Sequence, residues 1–313
     1  MKLLKLVPEN TNIQFINKRL IAFVFSALLV IGSAGLFFSQ GLNLGIDFLG
    51  GILIEAKTDG PANLAELRSD MGGLGLGEIT LQEFGAPDDI LIRIQKQPGD
   101  EKAQQVAIDK VKSSLGARVV EYRRTEFVGP TVGAELREAA AWAVMSAIVA
   151  ILFYIWFRFE WQFGIGAVVA LVHDVITTIG LFALLQLEFN LATVAAILTI
   201  AGYSINDTVV VYDRVRENMR RYKKLPYEEL FNISINQTLS RTVVTSVTTL
   251  LALLALYFFG GEVIRGFSIA LIWGVLIGTY SSIALAVPLL LYIRPPRGGE
   301  DEADGVPEIA PSS

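Results

Sequence analysis

The sequence predicts a polytopic α-helical membrane protein with one small α+β domain outside the membrane. The chain of 313 residues is 52% hydrophobic and only 18% charged, a composition typical of membrane proteins. Six apolar runs are long enough to cross a bilayer, which takes a helix of about 20 residues. A long polar segment between the first two runs alternates between strand and helix periodicity.

The apolar runs divide the chain into spans and connections. Transmembrane helices are predicted at 20–38, 139–157, 163–185, 191–212, 243–259 and 266–293, so that the last five form one membrane domain over 139–293. The first run is too long for the core of a signal peptide and is predicted to remain as an anchor. A loop is predicted at 213–238, and the acidic tail at 294–313 has a composition typical of disorder.

Lysine and arginine in the short connections predict that both ends of the chain are cytoplasmic. Segment 1–19 carries four of these basic residues, and the connection after the fourth span carries six. The turn between the third and fourth spans carries none. Residues 39–135 are therefore predicted to form an extracytoplasmic domain. The chain has no cysteine, which excludes disulfides and cysteine metal sites.

The predicted extracytoplasmic domain has the element order β-α-β-β-α-β, which is that of a ferredoxin-like unit. Alternation of apolar and polar residues predicts its strands, which we place at 51–57, 79–84, 90–95 and 118–125. One helix begins at Pro61 and ends at Gly72, and a second follows Asp100 and ends at Gly116. A turn is predicted at 85–89. The domain contains no nucleophile–base pair, metal-ligand cluster or phosphate loop, so we expect no enzymatic activity, cofactor or metal.

The fourth predicted span contains Asn206 and Asp207, which are the strongest functional signal in the chain. A carboxylate at that depth costs several kcal/mol unless it is paired or protonated, so the sequence predicts an ion or proton site. Arg241, at the start of the next apolar segment, is close enough in depth to reach Asp207, and Thr245 shares its helix face. The other interpretation also stays open, because Thr can bridge helices and Arg can extend to the headgroups.

Two further motifs each allow two interpretations. His173 and Asp174 lie in the middle of the third span, where they are either a second proton station or a hydrogen-bonded packing pair. Gly45, Asp47, Gly50 and Gly51 either shape the turn into the first strand or couple the domain to the membrane.

Three segments in their order and spacing resemble the SecF branch of the SecD/SecF family, which belongs to the resistance-nodulation-division superfamily. They are Gly45–Gly51 (GIDFLGG), Gly202–Asn218 (GYSINDTVVVYDRVREN, which includes Asp213 and Arg214) and Leu239–Thr249 (LSRTVVTSVTT). The resemblance extends over nearly the whole chain. It implies that Asp207 and Arg241 occupy the positions of the intramembrane Asp and Arg implicated in proton conduction.

The resemblance also implies partners and a location. A member of this family pairs with SecD in the bacterial cytoplasmic (inner) membrane. It uses the proton-motive force to help draw preproteins out of the SecYEG channel, with YajC as an expected companion and no nucleic acid involved.

Two other functions are weighed against this one. A proton-coupled exporter of lipid or small molecules could use the same scaffold, although six spans are only half of a superfamily transporter. A passive assembly scaffold would hold Asp207 and Arg241 as a static ion pair.

Overall fold

The structure is a computed structural model that describes residues 11–261 and 264–296. Six helices in this part of the chain are long and apolar enough to cross a membrane. Their helical segments are α1 (Arg19–Gln40), α5 (Pro130–Arg158), α6 (Trp161–Leu185), α7 (Leu191–Arg221), α8 (Tyr227–Phe259) and α9 (Arg265–Ser281), the last continued by a π-helical turn (Ser282–Ala286) and α10 (Val287–Ile293). The chain is thus a multi-pass helical membrane protein. The tail predicted to be disordered lies outside the described residues from position 297 onward.

The prediction of a loop at 213–238 is largely wrong, because most of this segment is helical. α7 continues to Arg221 and α8 begins at Tyr227, so only residues 222–226 connect them. The extensions are less apolar than the spans, and they pack against each other through Val215, Met219 and Phe231. A search for uniformly apolar runs therefore ends where each helix becomes two-faced, although the helix itself goes on.

The polar region between α1 and α5 forms a four-stranded antiparallel sheet with two main helices. Its strands are β2 (Gly51–Thr58), β3 (Ile79–Phe84), β4 (Ala86–Ile94) and β5 (Val119–Val128), in the spatial order β3-β4-β2-β5. Helices α3 (Leu64–Gly72) and α4 (Glu101–Leu115) cover one face, where Ile54, Ile92 and Val111 are buried.

The prediction of a turn at 85–89 is wrong in its extent, because Gly85 alone separates β3 from β4. Asp88 and Asp89 misled the sequence argument, since acidic residues are rare in strands. In the structure both carboxylates have cationic partners. Asp88 Oδ2 lies 3.3 Å from Lys57 Nζ, and Asp89 Oδ2 lies 2.7 Å from an Arg123 nitrogen. The bond from Lys57 lowers the pKa of Asp88 below its usual value.

A second, parallel pair of strands joins this region to the turn between α6 and α7. It consists of β1 (Asn43–Leu44) and β6 (Glu188–Phe189), and the short helix α2 (Ile46–Leu49) follows β1 directly. The sequence did not predict either strand, because two residues are too few to show a period.

The segment before α1 is bound to the base of α8. The backbone N–H of Phe15 donates to Asn232 Oδ1 at 2.8 Å, and that of Ile13 donates to Asn236 Oδ1 at 2.9 Å. Tyr227 Oη donates to the carbonyl of Pro295 at 2.9 Å. Residues 11–17, the α7–α8 connection and the end of the described chain therefore lie together at one end of the bundle, and β6 lies at the other end of α7.

Candidate functional site

Helices α7 and α8 run antiparallel and bring the predicted site residues to one level. Tyr203 Oη on α7 donates to Ser246 Oγ on α8 at 3.5 Å, and Asn218 Nδ2 donates to Ser234 Oγ at 2.9 Å farther along. Because the helices are antiparallel, the residue one turn after Tyr203 on α7 lies at the same depth as the residue one turn before Ser246 on α8. Asp207 therefore lies at the level of Thr242, next to Arg241 in sequence.

Asp207 is a buried carboxylate that lacks the usual partners of such a group. Its side chain is 4% exposed, and its Oδ2 atom is enclosed without a hydrogen-bond partner. The charge of Arg241 acts on it electrostatically. Among the ion pairs of residues 11–261 and 264–296, none within 4.0 Å joins these two side chains. They are therefore neighbours but not a closed salt bridge.

Two threonine hydroxyls of α8 near Asp207 differ in their hydrogen bonding, since one has no partner among the described residues and the other donates within its own helix. Thr242 Oγ1 is buried without a partner at the same level of the bundle. Thr245 Oγ1 is within 2.9 Å of the Thr242 carbonyl and 3.1 Å of the Arg241 carbonyl, so its donor is used inside α8. The structure therefore places Thr245 beside the site with its proton directed to its own helix.

Asn206 points away from Asp207, toward the outside of the bundle. Asn206 is exposed, as are Thr199 and Gly202 on the same stripe of α7. The sequence predicts Asn206 only as a possible additional proton or packing site beside Asp207. Adjacent residues on a helix differ by about 100° in direction, so Asn206 is exposed while its neighbour Asp207 is buried.

His173 and Asp174 form the centre of a second polar cluster. Asp174 is fully buried, and His173 is 3% exposed. His173 Nδ1 lies 2.9 Å from Asp174 Oδ1. Ser204 Oγ of α7 donates to Asp174 Oδ2 at 2.6 Å, and Ser281 Oγ of α9 donates to the same oxygen at 2.7 Å. One carboxylate thus joins three helices, while His173 Nε2 remains buried without a partner.

A π-helical turn in the sixth span completes the contact between α9 and α7. Ser282 Oγ is 2.9 Å from Thr208 Oγ1, and Tyr212 Oη donates to the carbonyl of Ala286 at 3.1 Å. Gly278 allows the approach, because a Cβ atom there would lie 3.1 Å from Ser204 Cβ. Sequence reasoning missed this turn, since π-helical bonding leaves no simple period in the residues.

The remaining motif residues lie at the two ends of α7. At the β6 end, α2 contains Asp47 and is flanked by Gly45 and by Gly50-Gly51. At the opposite end, Asp213 pairs with Arg158 at 3.0 Å and Arg214 pairs with Glu217 at 2.9 Å. Both pairs are exposed, and neither contacts Asp207. Among the described residues, no group of three or more acidic or histidine side chains could hold a metal ion.

Two family descriptions match the chain. "Protein export membrane protein SecD/SecF, C-terminal" matches residues 107–295, and "SecD/SecF GG Motif" matches residues 35–62. The chain belongs to the SecD/SecF family. The first match contains Asp207, Arg241 and the His173–Asp174 pair, and the second contains Asp47, so the resemblance seen in the sequence is confirmed.

Curated SecF proteins match at high identity. "Protein translocase subunit SecF" of Rickettsia rickettsii is 47% identical over 290 residues, which are 92% of this chain and 94% of that protein. The protein of the same name from Rhodobacter capsulatus is 47% identical over 311 residues, covering 95% of this chain and 93% of the relative.

Two solved SecDF structures match the SecD/SecF fold of this chain. SecDF of Thermus thermophilus, a "translocon-associated membrane protein", is 37% identical with a TM-score of 0.84 over 92% of this chain. SecDF in a "Super-membrane-facing form" is also 37% identical, with a TM-score of 0.67 over 94% of this chain. The chain spans 40% of each SecDF chain.

Proposed function

We propose that this SecF-type chain couples the proton-motive force to the late steps of preprotein export. Its family and its SecF relatives make it an accessory subunit of the Sec protein translocase, a transport component. Use of the proton gradient goes beyond what the names of these relatives state. The observation that carries it is the enclosed, unpartnered carboxylate of Asp207 in the middle of α7.

Asp207 is suited to carry a proton because its enclosed Oδ2 atom has no hydrogen-bond partner among the described residues that would fix one charge state. A guanidinium that comes closer stabilises the ionised carboxylate, and its withdrawal favours the neutral acid. Arg241 does not release its own proton, so its role is to approach and withdraw. The open arrangement of the two side chains supports this role. The SecF relatives named above are protein translocase subunits, which does not favour a lipid or small-molecule exporter.

We place the chain in the bacterial inner membrane with both ends in the cytoplasm. The basic connection between α7 and α8 lies at the same end of the bundle as residues 11–17 and Pro295. The four-stranded region is then the extracytoplasmic domain of residues 39–135, and its order β-α-β-β-α-β supports a ferredoxin-like assignment.

Partners follow from the exposed helices and from the longer SecDF chains. The stripe of Thr199, Gly202 and Asn206 leaves the face of α7 near Asp207 uncovered. A SecD subunit covers this face in our proposal, and the pair acts on preproteins beside the SecYEG channel with YajC. Small and amide side chains suit close packing between helices in lipid.

The orientation is tested with cysteines introduced into a chain that has none. Asp109→Cys, on α4, is expected to react with a membrane-impermeant thiol reagent once the outer membrane is permeabilised. Lys223→Cys, in the α7–α8 connection, is expected to react only after the inner membrane is opened. Labelling of position 223 in sealed cells contradicts the orientation.

The function is tested by preprotein translocation into vesicles with and without a proton gradient. Asp207→Asn keeps the shape of the side chain but cannot titrate, so it is expected to abolish the response to the gradient while the complex stays assembled. Arg241→Lys keeps the charge without the planar guanidinium, and we expect partial activity. Asp213→Asn, on the same helix, is the matched control and keeps the response.

A static scaffold predicts a different result for the same variants. Loss of one partner from a fixed buried ion pair costs about 3–5 kcal/mol and would impair assembly first. Vesicles with Asp207→Asn that respond to the gradient as the wild type does would show that Asp207 is not the coupling residue.

A further inference from the structure

The N-terminus of α7 is held by a side chain from another part of the chain. The first N–H groups of a helix have no partner within the helix. Asn190 accepts a hydrogen bond from the N–H of Thr193 at 3.1 Å, as an ordinary N-cap. The N–H of Leu191 donates instead to Asp47 Oδ2 at 2.9 Å. A carboxylate at this position also interacts favourably with the positive end of the helix dipole.

Further contacts surround this cap and connect the same two regions. β1 pairs with β6, and the N–H of Gly45 donates to the carbonyl of Phe189 at 2.9 Å. Arg93 of β4 forms an ion pair with Glu188 at 2.6 Å and donates to Asn43 Oδ1 at 2.9 Å. The turn before α7 is therefore bound both to the segment that enters the sheet and to a central strand of the sheet.

The glycines of the motif keep this connection short. Gly50 and Gly51 have φ angles of +73° and +123°, which L side chains rarely adopt. They turn the chain from α2 directly into β2. A Cβ atom on Gly45 would lie 2.6 Å from Glu188 Oε1, so a larger residue there would displace the Glu188 carboxylate that pairs with Arg93.

The same helix that Asp47 caps carries Asp207. α7 is continuous from Leu191 to Arg221, and the rise from Leu191 to Asp207 is about 24 Å. A helix without an internal break moves as one body, so a shift at Asp207 reaches the level of Asp47.

We infer that the segment Gly45–Gly51 is the joint that transmits movement of α7 to the four-stranded domain, with Asp47 as its positioning residue. The inference rests on the proposed function, because it takes the proton step at Asp207 as the source of the movement. The joint stays closed through the cycle, since the cap, the strand pair and the Arg93–Glu188 ion pair hold the same turn.

The first test compares Asp47→Ala with Asp100→Ala in the full complex. Asp100 is a matched control, because it accepts a hydrogen bond from Ala103 at the start of α4, away from α7. The gradient-dependent part of preprotein translocation is expected to fall about fivefold for Asp47→Ala, the factor that corresponds to a lost cap. Asp100→Ala keeps the gradient response, and in Asp47→Ala proton flux and the amount of assembled complex stay near wild type.

The second test asks whether a covalent link between the two regions can replace the cap. In the double variant Asp47→Cys, Leu191→Cys, a short bifunctional thiol reagent replaces the cap by a covalent link. We expect the uncrosslinked protein to lose the gradient response and the crosslinked protein to recover it. A crosslinked protein that remains as inactive as the uncrosslinked one overturns the inference.

Failure of the joint and failure of the proposed function give different results. If Asp207→Asn abolishes the gradient response but Asp47→Ala does not change it, only the joint is wrong. If Asp207→Asn responds as the wild type does, the proposed function is wrong whatever the Asp47 variants show.

Discussion

Asp174 and Asp207 are both carboxylates in the interior of one helix bundle, but in the described part of the chain only Asp174 accepts hydrogen bonds from neighbouring side chains. Asp174 is fully buried and has a partner on each oxygen, from His173, Ser204 and Ser281. Asp207 is 4% exposed, and its Oδ2 atom is buried without a hydrogen-bond partner among the described residues. Burial is therefore a poor guide to the function of an acidic residue in a membrane protein, and the donors around it are more informative.

The difference gives the two residues opposite physical roles. A carboxylate whose oxygens accept bonds from three helices fixes the positions of those helices, and any change of its charge disturbs all three contacts. A carboxylate with an enclosed, unpartnered oxygen can change its charge without breaking a bond. Ser204 lies one turn before Asp207 on α7. Its hydrogen bond to Asp174 therefore also holds the helix that carries the unpartnered carboxylate of Asp207.

The largest effect on stability is expected from a substitution that removes the carboxylate of Asp174 from its hydrogen-bonded cluster. Asp174→Ala leaves two hydroxyls and an imidazole without their acceptor, so we expect the free energy of unfolding to fall by about 3–5 kcal/mol. Thermal denaturation in mild detergent, followed by the fraction of protein that remains monodisperse, measures it. The comparison variant Asp207→Asn is expected to change stability by less than about 1 kcal/mol. Equal losses for the two variants would remove the distinction between the carboxylates.

A change of opposite sign is expected at the free carboxylate. Asp207→Leu removes a buried polar group that lacks a partner, so we expect a gain of about 1 kcal/mol in the same measurement. The variant should at the same time lose all response to the proton gradient. A destabilisation as large as that of Asp174→Ala would mean that Asp207 has stabilising partners in the assembled protein.

The smallest loss of stability is expected when one hydroxyl donor to Asp174 is removed, and it tests which hydroxyls bind this carboxylate. Ser204→Ala and Ser281→Ala each remove one bond to Asp174 Oδ2, which we expect to cost about 1 kcal/mol, the scale of interhelical bonds in membranes. Thr178→Val is the matched control, since its hydroxyl donates to the backbone carbonyl of Asp174. In an Asp174→Asn background the cost of Ser204→Ala should shrink, because the two residues share one interaction. An unchanged cost would indicate that Ser204 acts through another contact.

The sequence predicted some of these features because they have a local signal. The six apolar runs became six helices, and Asp207 was recognised because a carboxylate within such a run is conspicuous. Asp174 was also noticed, but its role stayed open between proton station and packing pair. Its donors Ser204 and Ser281 lie on two other helices, and only their packing reveals that they meet on one oxygen.

Other features have no local signal. The β1–β6 pair is two residues long, and the contact of Asp47 with Leu191 joins parts of the chain that are far apart in sequence. The extension of α7 and α8 beyond their apolar runs was missed because those turns pack against each other. In each case the deciding interaction is tertiary, and residue pattern alone does not encode it.

The attachment of residues 11–17 to α8 has a consequence for how the protein is made. Asn232 and Asn236 leave the ribosome more than 200 residues after the backbone groups that they bind. Residues 11–17 therefore lack these hydrogen-bond partners while the first four spans are inserted. These contacts form only once α8 has been synthesised, so this end of the bundle closes after the first four spans are made.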